Sequence, residues 1–494
     1  MNILFKTLKE KIRANPSGLY VLFYTEMWEL FGRFGITALL VLYLTNVFHV
    51  DDAKAFSIYS AFIALTFATP ILGGYFSDKY LGTKRAILLG AFIMILGDAL
   101  MVIPVEWIVF LGLAIVAVGS GFFLPSIPPL VSALYERDER KRDAGFTLYY
   151  LGKNLGALIA PILCGFVGQW FGINYAFILS TVGMISGVII FLLGQKHLSF
   201  YHQQAKSAKK KFYGLSTNTL IYLIAVIMVP VVMLVLATNI DGYLLAVTGV
   251  ICAVILTAIL TKRSMVERKH TIALLIAIAC MIIFEAFLGQ GGTTLNLFIE
   301  RNINRQFLGV IFPPGFFYAL DPVFMLLMGP FLAGFWMRLA DRGKEPAVTT
   351  KFALALFLLA LGFLVFVLAA HQATLTGSAS LIYIVVAYFL FPMAELCIIP
   401  ISLSLVTKMS PVGLNALMVG IWMLSNAASS YFTGEISKIG QVNFPLNTTA
   451  SLQQAAAIYQ HLFADTAKIL AVTGILILLI GPIVKRLIKA KAIN

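Results

Sequence analysis

Charged residues are scarce in this chain of 494 residues. They make up 12% of the sequence and hydrophobic residues 60%, whereas roughly a quarter of the residues in a soluble domain are charged. Apolar runs of the length that crosses a bilayer, about 20 residues, recur from end to end with short polar breaks between them. The composition excludes an ordinary soluble domain and predicts an all-α membrane protein. Its surroundings are therefore expected to be the lipid bilayer.

Cysteines and catalytic motifs are also scarce. The four cysteines are far apart within apolar runs and form no CxxC pair or Cys/His cluster, so we predict no metal site. The chain has no HExxH, GxSxG or phosphate-binding loop, which are patterns that carry common catalytic chemistry. We therefore expect no cofactor and no enzymatic activity, and a membrane enzyme or receptor is the interpretation that these absences disfavour.

The net charge of +14 is spread over the breaks between the apolar runs. A nucleic-acid partner would require the basic residues on one face or in one tail, so none is predicted. Basic and non-basic breaks alternate, as expected when cytoplasmic loops are rich in Lys and Arg. The exception is ERNINRQ at 300–306, which puts two arginines on the predicted outer side. The basic N-terminus lacks the pattern of a signal peptide, and both termini are expected in the cytoplasm.

The apolar runs predict about fourteen membrane-spanning helices. Their expected positions are 17–47, 53–78, 84–104, 107–134, 143–169, 174–195, 215–238, 243–262, 270–298, 316–340, 349–370, 380–408, 412–438 and 467–488. Two predicted cytoplasmic loops share a pattern in which a small residue leads into an aspartate and basic residues. They are GGYFSDKYLGTKR at 73–85 and GFWMRLADRGK at 334–344. Repeated halves are usual in secondary transporters, although two unrelated basic loops would give the same likeness.

The stretch at 73–85 resembles the loop signature of the major facilitator superfamily. Its glycines would let two helices approach closely, and Asp78 would accept hydrogen bonds at a neighbouring helix N-terminus. The resemblance implies a cytoplasmic gate that includes Asp78 and Arg85. A solvated basic loop is the alternative.

Three further stretches resemble the proton-dependent oligopeptide transporter (POT/PTR) family. They are TEMWELFGRFG at 25–35, FTLYYLGKNLGALIAP at 146–161, and ELCIIP at 395–400 with WMLS at 422–425. The resemblance implies two six-helix bundles, at 1–197 and 269–494, separated by a basic linker and an extra helix pair at 198–268. It also implies a monomer in the bacterial inner membrane.

The sequence departs from the family pattern at several charged positions. Leu30 stands in place of an arginine of the first-helix signature, and Leu124 in place of a fourth-helix lysine. On the seventh helix the usual glutamate is Gly289, and an acid occurs one helical turn earlier at Glu285. We expect Arg33 and Lys153 to replace the missing cations, so that charge is relocated within the cavity.

Ionisable residues within apolar spans usually face a cavity and have a role, because each costs on the order of 2.5 to 3.5 kcal/mol to insert. Glu26, Glu29 and Arg33 fall at helical spacings of three and four. We predict proton coupling by Glu26, Glu29 and Glu285, although a structural ion pair with Arg33 is an alternative. The predicted substrate-binding residues, several from the resemblance alone, are Arg33, Tyr59, Lys153, Asn154, Gln290, Asp321, Glu395, Trp422 and Ser425.

The leading function is therefore proton-coupled symport of dipeptides, tripeptides or peptide-like zwitterions. The resemblance supplies the substrate class and the driving ion, and a site near the bilayer midplane is usual for such transporters. Glu395 would attract the substrate amine, and Arg33 or Lys153 its carboxylate. The alternative is a family member for a different small solute, or a facilitator or exchanger with altered or absent proton coupling.

Overall fold

A computed structural model describes residues 16–135, 139–198, 211–212, 215–238, 240–261, 263–411 and 415–488. The described chain is almost wholly helical. Its α-helices are α1 (Ser17–Asn46), α2 (Asp52–Phe76), α3 (Thr83–Met101), α4 (Glu106–Phe123), α5 (Ile127–Ala133), α6 (Glu139–Phe171), α7 (Ile173–Gly194), α8 (Thr217–Thr238), α9 (Asp241–Leu260), α10 (Met265–Leu288), α11 (Thr294–Asn302), α12 (Leu320–Asp341), α13 (Val348–Thr376), α14 (Ile382–Met409), α15 (Asn415–Ile439) and α16 (Thr449–Ile488).

Short strands occur only as pairs of two residues within the described part of the chain. Lys211–Phe212 (β1) pairs antiparallel with Leu215–Ser216 (β2), and Gln306–Phe307 (β4) pairs antiparallel with Val310–Ile311 (β5). Ile303–Asn304 (β3) pairs in parallel with Ala379–Ser380 (β6).

Each predicted span corresponds to a helix. Eleven helical stretches of the described residues are long and apolar enough to cross a membrane. The remaining predicted spans coincide with α3, α9 and α15. The prediction of an all-α membrane protein with many spans is confirmed.

Two predicted spans are interrupted. The span at 107–134 is divided between α4 and α5 by a 3-10 turn at Leu124–Ser126, where Pro125 supplies no backbone donor. The span at 270–298 ends its first helix at Leu288, and a 3-10 turn at Gly289–Gly292 leads into α11. Glycine is a poor helix former, which explains the second break.

The last helix begins at Thr449, well before the predicted start at 467. Its first half buries only one face, which includes Ala455, Tyr459 and Phe463. Tyr459 stacks on Phe463 with ring centroids 6.1 Å apart, and Phe298 of α11 meets Phe463 edge-on at 5.3 Å. The predicted start was wrong because a half-polar, amphipathic segment contains no continuous apolar run.

The described chain forms two compact units. The first comprises Met1–Thr37 and Ala68–Ala237, and the second comprises Ala38–Phe67 and Thr238–Asn494. The later part of α1 and most of α2 are thus members of the second unit. The three-segment division implied by the family resemblance follows the order of the chain and stays a prediction.

Glycines hold helices of the first unit in close contact. A Cβ on Gly73 would lie 2.1 Å from the backbone oxygen of Gly121, and one on Gly90 would lie 2.6 Å from that of Gly119. Such contacts allow α2 and α3 to pack directly on the backbone of α4, as predicted for the glycines of the loop at 73–85. Among the described residues, nothing lies within 4 Å of a Cβ built on Gly334, in the similar loop of the second unit. The two loops are therefore alike in sequence but not in how their glycines pack.

A buried ion pair joins two helices of the second unit. Arg301, near the end of α11, donates to both carboxylate oxygens of Asp52 at 2.6 and 2.7 Å. It also donates to the Tyr459 hydroxyl at 2.9 Å, while Asp52 accepts from the Val442 backbone N–H at 3.0 Å. One of the two arginines on the predicted outer side is therefore neutralised by an acid, which accounts for part of the exception in the pattern of basic loops.

Candidate proton and substrate site

The first unit holds two ion pairs inside its helices. Arg33 Nε donates to Glu29 Oε1 at 3.2 Å along α1. Lys153 Nζ of α6 lies 3.4 Å from Glu26 Oε1 and 5.7 Å from the centre of the Tyr149 ring. Both glutamates are fully buried. The helical spacing places the three α1 residues on one stripe, as predicted.

These ion pairs leave part of each carboxylate unsatisfied. Oε2 of Glu26 and Oε2 of Glu29 are buried without a hydrogen-bond partner in the described part of the chain. A buried carboxylate oxygen without a partner carries a desolvation penalty of about 1 to 3 kcal/mol or more. Each of these oxygens is therefore available to accept a hydrogen bond from a further donor.

Asn154, beside Lys153, has a different geometry. Its side-chain amide donates to the backbone oxygen of Tyr150 at 2.9 Å, one turn earlier on α6. One of the two amide hydrogens is thus engaged within its own helix, which leaves the second amide hydrogen and the carbonyl oxygen as the groups that could contact a substrate.

Three acids gather in the second unit. Glu395 of α14 and Asp321 at the start of α12 lie within hydrogen-bonding reach of each other, and Glu285 of α10 is their electrostatic neighbour. Glu395 is only 8% exposed, and Asp321 Oδ1 is buried with no hydrogen-bond partner in the described ranges. Among the described residues no Lys, Arg or His forms a salt bridge with any of the three. The sequence prediction named all three acids, and the structure brings them together.

Tyrosines cover the turn between α10 and α11. A Cβ on Gly292 would lie 1.9 Å from the Tyr59 hydroxyl, and one on Gly291 would lie 3.2 Å from the Tyr318 ring and 3.5 Å from the Tyr388 hydroxyl. Tyr59 and Tyr318 share a hydrogen bond. At Gly292 any side chain would require the Tyr59 ring to move. Tyr318 also neighbours the three acids, and its place in the site was not predicted.

Gln290 lies on the same turn and is completely buried. Its Oε1 accepts from the Thr294 hydroxyl at 3.3 Å, and its Nε2 has no hydrogen-bond partner among the described residues. An unsatisfied buried donor is an unusual feature in a folded protein. Gln290 thus retains a free donor, as a substrate-binding residue would require.

Trp422 and Ser425 of α15 are engaged elsewhere. The Trp422 indole N–H donates to the Ser402 hydroxyl at 3.3 Å, and the Ser425 hydroxyl donates to the Trp422 backbone oxygen at 2.6 Å. Ser425 also lines an apolar groove of about 330 Å³ beside α9 and α10. Among the described residues, no hydrogen bond joins Trp422 or Ser425 to the three acids.

The predicted gate residues lie at the surface of the first unit. Asp78 is on a π-helical turn at Ser77–Leu81, and Arg85 is in the first turn of α3; both are exposed. The Ser77 hydroxyl lies 3.0 Å from that of Ser126, which ties this turn to the 3-10 turn after α4. Neither Asp78 nor Arg85 forms an ion pair with another described residue.

Asp98 of α3 is not among the residues that the sequence predicted for the site. The structure places its carboxylate beside α1, where a Cβ on Gly32 would lie 3.5 Å from Asp98 Oδ2. Gly32 is three residues after Glu29, so Asp98 joins the charged group of the first unit. Its burial within a span was the available signal.

Comparisons with known proteins support one assignment. Residues 84–452 match the model of the POT family (PTR2). The chain is 31% identical over 483 residues to dipeptide and tripeptide permease A of Klebsiella pneumoniae, covering 96% of this chain and 93% of the relative. It is 30% identical over 482 residues to the permease of the same name from Erwinia pyrifoliae, covering 96% and 95%.

Solved structures agree with the sequence matches. A mutant of peptide transporter POT in complex with alafosfalin superposes with a TM-score of 0.81 at 28% identity, covering 96% of both chains. Tetrameric PepTSo2 superposes with a TM-score of 0.83 at 28% identity, covering 96% of this chain and 100% of the other. The fold is that of the major facilitator superfamily, and the chain belongs to the POT family.

Proposed function

We propose that this protein carries dipeptides, tripeptides or similar zwitterions across the membrane together with protons, by alternating access. The observation that carries the proposal is the set of buried carboxylates in both units, in a chain of the POT family whose relatives are named peptide permeases. Buried acids can bind and release protons during a transport cycle.

The second unit would bind the substrate amine. The group formed by Glu285, Asp321 and Glu395 has no salt-bridge partner among the described basic residues, so an ammonium group would supply the missing charge. Glu395, the most buried of the three, is proposed as the principal contact, and Glu285 as a proton carrier. The Tyr59 hydroxyl and the free Nε2 of Gln290 are proposed to contact the peptide backbone.

The first unit would couple carboxylate binding to protonation. Lys153 and Arg33 are already paired with Glu26 and Glu29, so a substrate carboxylate must compete with a glutamate for each cation. A proton that binds to the glutamate removes its negative charge and releases the cation. The cation then binds the substrate carboxylate, and proton and substrate move together.

The remaining roles follow the resemblance. Asn154, Trp422 and Ser425 are proposed to line the substrate path, and Asp78 and Arg85 to belong to the cytoplasmic gate. We further propose a monomer in a bacterial inner membrane with both termini in the cytoplasm, and bundles at 1–197 and 269–494 separated by the segment 198–268.

Uptake by purified protein in liposomes tests the proposal. Labelled dipeptide should accumulate above the external concentration when an inward proton gradient is imposed, and only equilibrate without one. Free amino acids are the control substrates. Equal uptake with and without the gradient would indicate a facilitator or exchanger. Absence of uptake for every dipeptide and tripeptide tried, from liposomes that contain folded protein, would indicate a different solute.

A further inference from the structure

Asp98 is a buried acid of the first unit to which the proposed function gives no role. It lies on α3, its side chain is 1% exposed, and its Oδ1 has no hydrogen-bond partner in the described chain. None of the described basic residues forms a salt bridge with it. An ionised carboxylate in this environment would be unpaired within a membrane span, which is costly.

The surroundings of Asp98 are shaped by small residues of α1. Gly32 leaves room for the Asp98 carboxylate, and a Cβ on Gly35 would lie 3.1 Å from the Ser180 hydroxyl and 3.0 Å from Cys164 Sγ. The Ser180 hydroxyl is itself buried, with no hydrogen-bond partner among the residues that the structure describes. The side chain of Asp98 is thus accommodated against the backbone of α1, on the stripe that carries Glu29.

The charges around Asp98 do not balance if every group is ionised. The titratable groups that face it are Glu29 and, further along the same group, Glu26, with Arg33 and Lys153 as their partners and the Cys164 thiol of α6. Three acids, Glu26, Glu29 and Asp98, therefore share two bases. One acid must carry a proton for the group to be neutral, and Asp98 is the acid that lacks a cation.

We propose that Asp98 is a further proton-coupling residue, which holds a proton and exchanges it with the unpartnered Oε2 of Glu29. In this step an O–H bond breaks on Asp98 and one forms on Glu29, while the negative charge moves from Glu29 to Asp98. Arg33 loses its carboxylate partner and becomes available to a substrate carboxylate. The inference rests on the proposed function, because it adds a proton site to the same transport cycle.

The substitution Asp98→Asn tests the assignment, because the amide keeps the shape and cannot carry the proton. With an inward gradient of about one pH unit, each coupled proton raises the limiting ratio of internal to external substrate about tenfold. The ratio reached by the variant should therefore be about tenfold lower than that of the wild type. Counterflow exchange, which requires no net proton movement, should persist. Asp98→Glu should retain coupling, and Ser180→Ala, which alters the same pocket without removing an acid, should leave both activities unchanged.

Infrared difference spectroscopy provides a second readout that does not depend on transport. The wild-type protein should show the carbonyl stretch of a protonated carboxylic acid, and Asp98→Asn should lack that band. Unchanged coupling in a folded Asp98→Asn protein, or the same band in both proteins, would overturn the inference. If the wild-type protein transports no peptide, the proposed function fails, while the infrared comparison still decides whether Asp98 holds a proton.

Discussion

Replacing Asp52 with asparagine should destabilise the second unit by about 3 to 5 kcal/mol, the usual cost of leaving one member of a buried ion pair without its partner. Asp52 is 4% exposed and receives two charge-assisted hydrogen bonds from Arg301, at 2.6 and 2.7 Å. It also accepts the Val442 N–H. The substitution removes the negative charge that faces the guanidinium group of Arg301, and replaces one of the two accepting oxygens with an amide that cannot accept; the Tyr459 hydroxyl and the remaining side-chain oxygen can still accept from it.

The size of this effect is best judged against an exposed ion pair of the same chain. Lys468 and Asp465 lie 3.0 Å apart on α16, with side chains 73% and 66% exposed. Solvent screens such a pair, so Asp465→Asn should cost about 0.5 kcal/mol or less. The two substitutions make the same chemical change and should differ several-fold in their effect on stability.

Thermal unfolding of the purified proteins in one detergent is the measurement. Asp52→Asn should lower the unfolding temperature clearly, and Asp465→Asn should leave it close to that of the wild type. Combining Asp52→Asn with Arg301→Met should cost much less than the sum of the two single changes, because they remove one interaction. Equal shifts for the buried and the exposed pair, or additive single changes, would refute the assignment of this network as a stabilising contact.

Three further predictions concern transport. Glu395→Gln should abolish the thermal stabilisation that amine-bearing substrates give while the protein stays folded; undiminished stabilisation would exclude the amine site. Replacing Glu26 or Glu29 with Gln should eliminate gradient-driven accumulation and spare counterflow, whereas equal loss of both would indicate a structural ion pair. Arg33→Ala or Lys153→Ala should weaken carboxylate-bearing substrates far more than their amides, with a less than additive double change if both contact one carboxylate; equal losses would contradict the carboxylate role.

The helices were predictable because apolar composition is a strong signal in a membrane protein. The same signal failed at Thr449–Asp465, the first part of α16. There the apolar residues occur only in short runs, at 455–459 and 462–464, between polar residues. The segment is therefore stabilised by the packing of Ala455, Tyr459 and Phe463 on one face rather than by its composition. A search for helical periodicity would have been needed to find it.

The site was predictable only in its components. Charged residues inside apolar runs pointed to Glu26, Lys153 and Glu395, but not to their partners. Glu26 and Lys153 are far apart in sequence and meet because α6 packs beside α1, where a Cβ on Gly156 would lie 2.2 Å from the Met27 backbone oxygen. Such a contact depends on helix packing, which one sequence does not specify.

The distribution of cations between the two units sets what each can bind. In the first unit Arg33 and Lys153 are occupied by glutamates, and leucines stand at positions 30 and 124, where the family usually has cations. Both cations of these two ion pairs are therefore already engaged when a substrate carboxylate arrives. Among the described residues of the second unit, the acids around Glu395 have no cation at all. In the proposed cycle, an amine can bind to the second unit without displacing a side chain. A carboxylate can bind to the first unit only after a proton has bound to Glu26 or Glu29 and has released Lys153 or Arg33. This asymmetry ties proton binding, in the proposed cycle, to the carboxylate end of the substrate rather than to its amine.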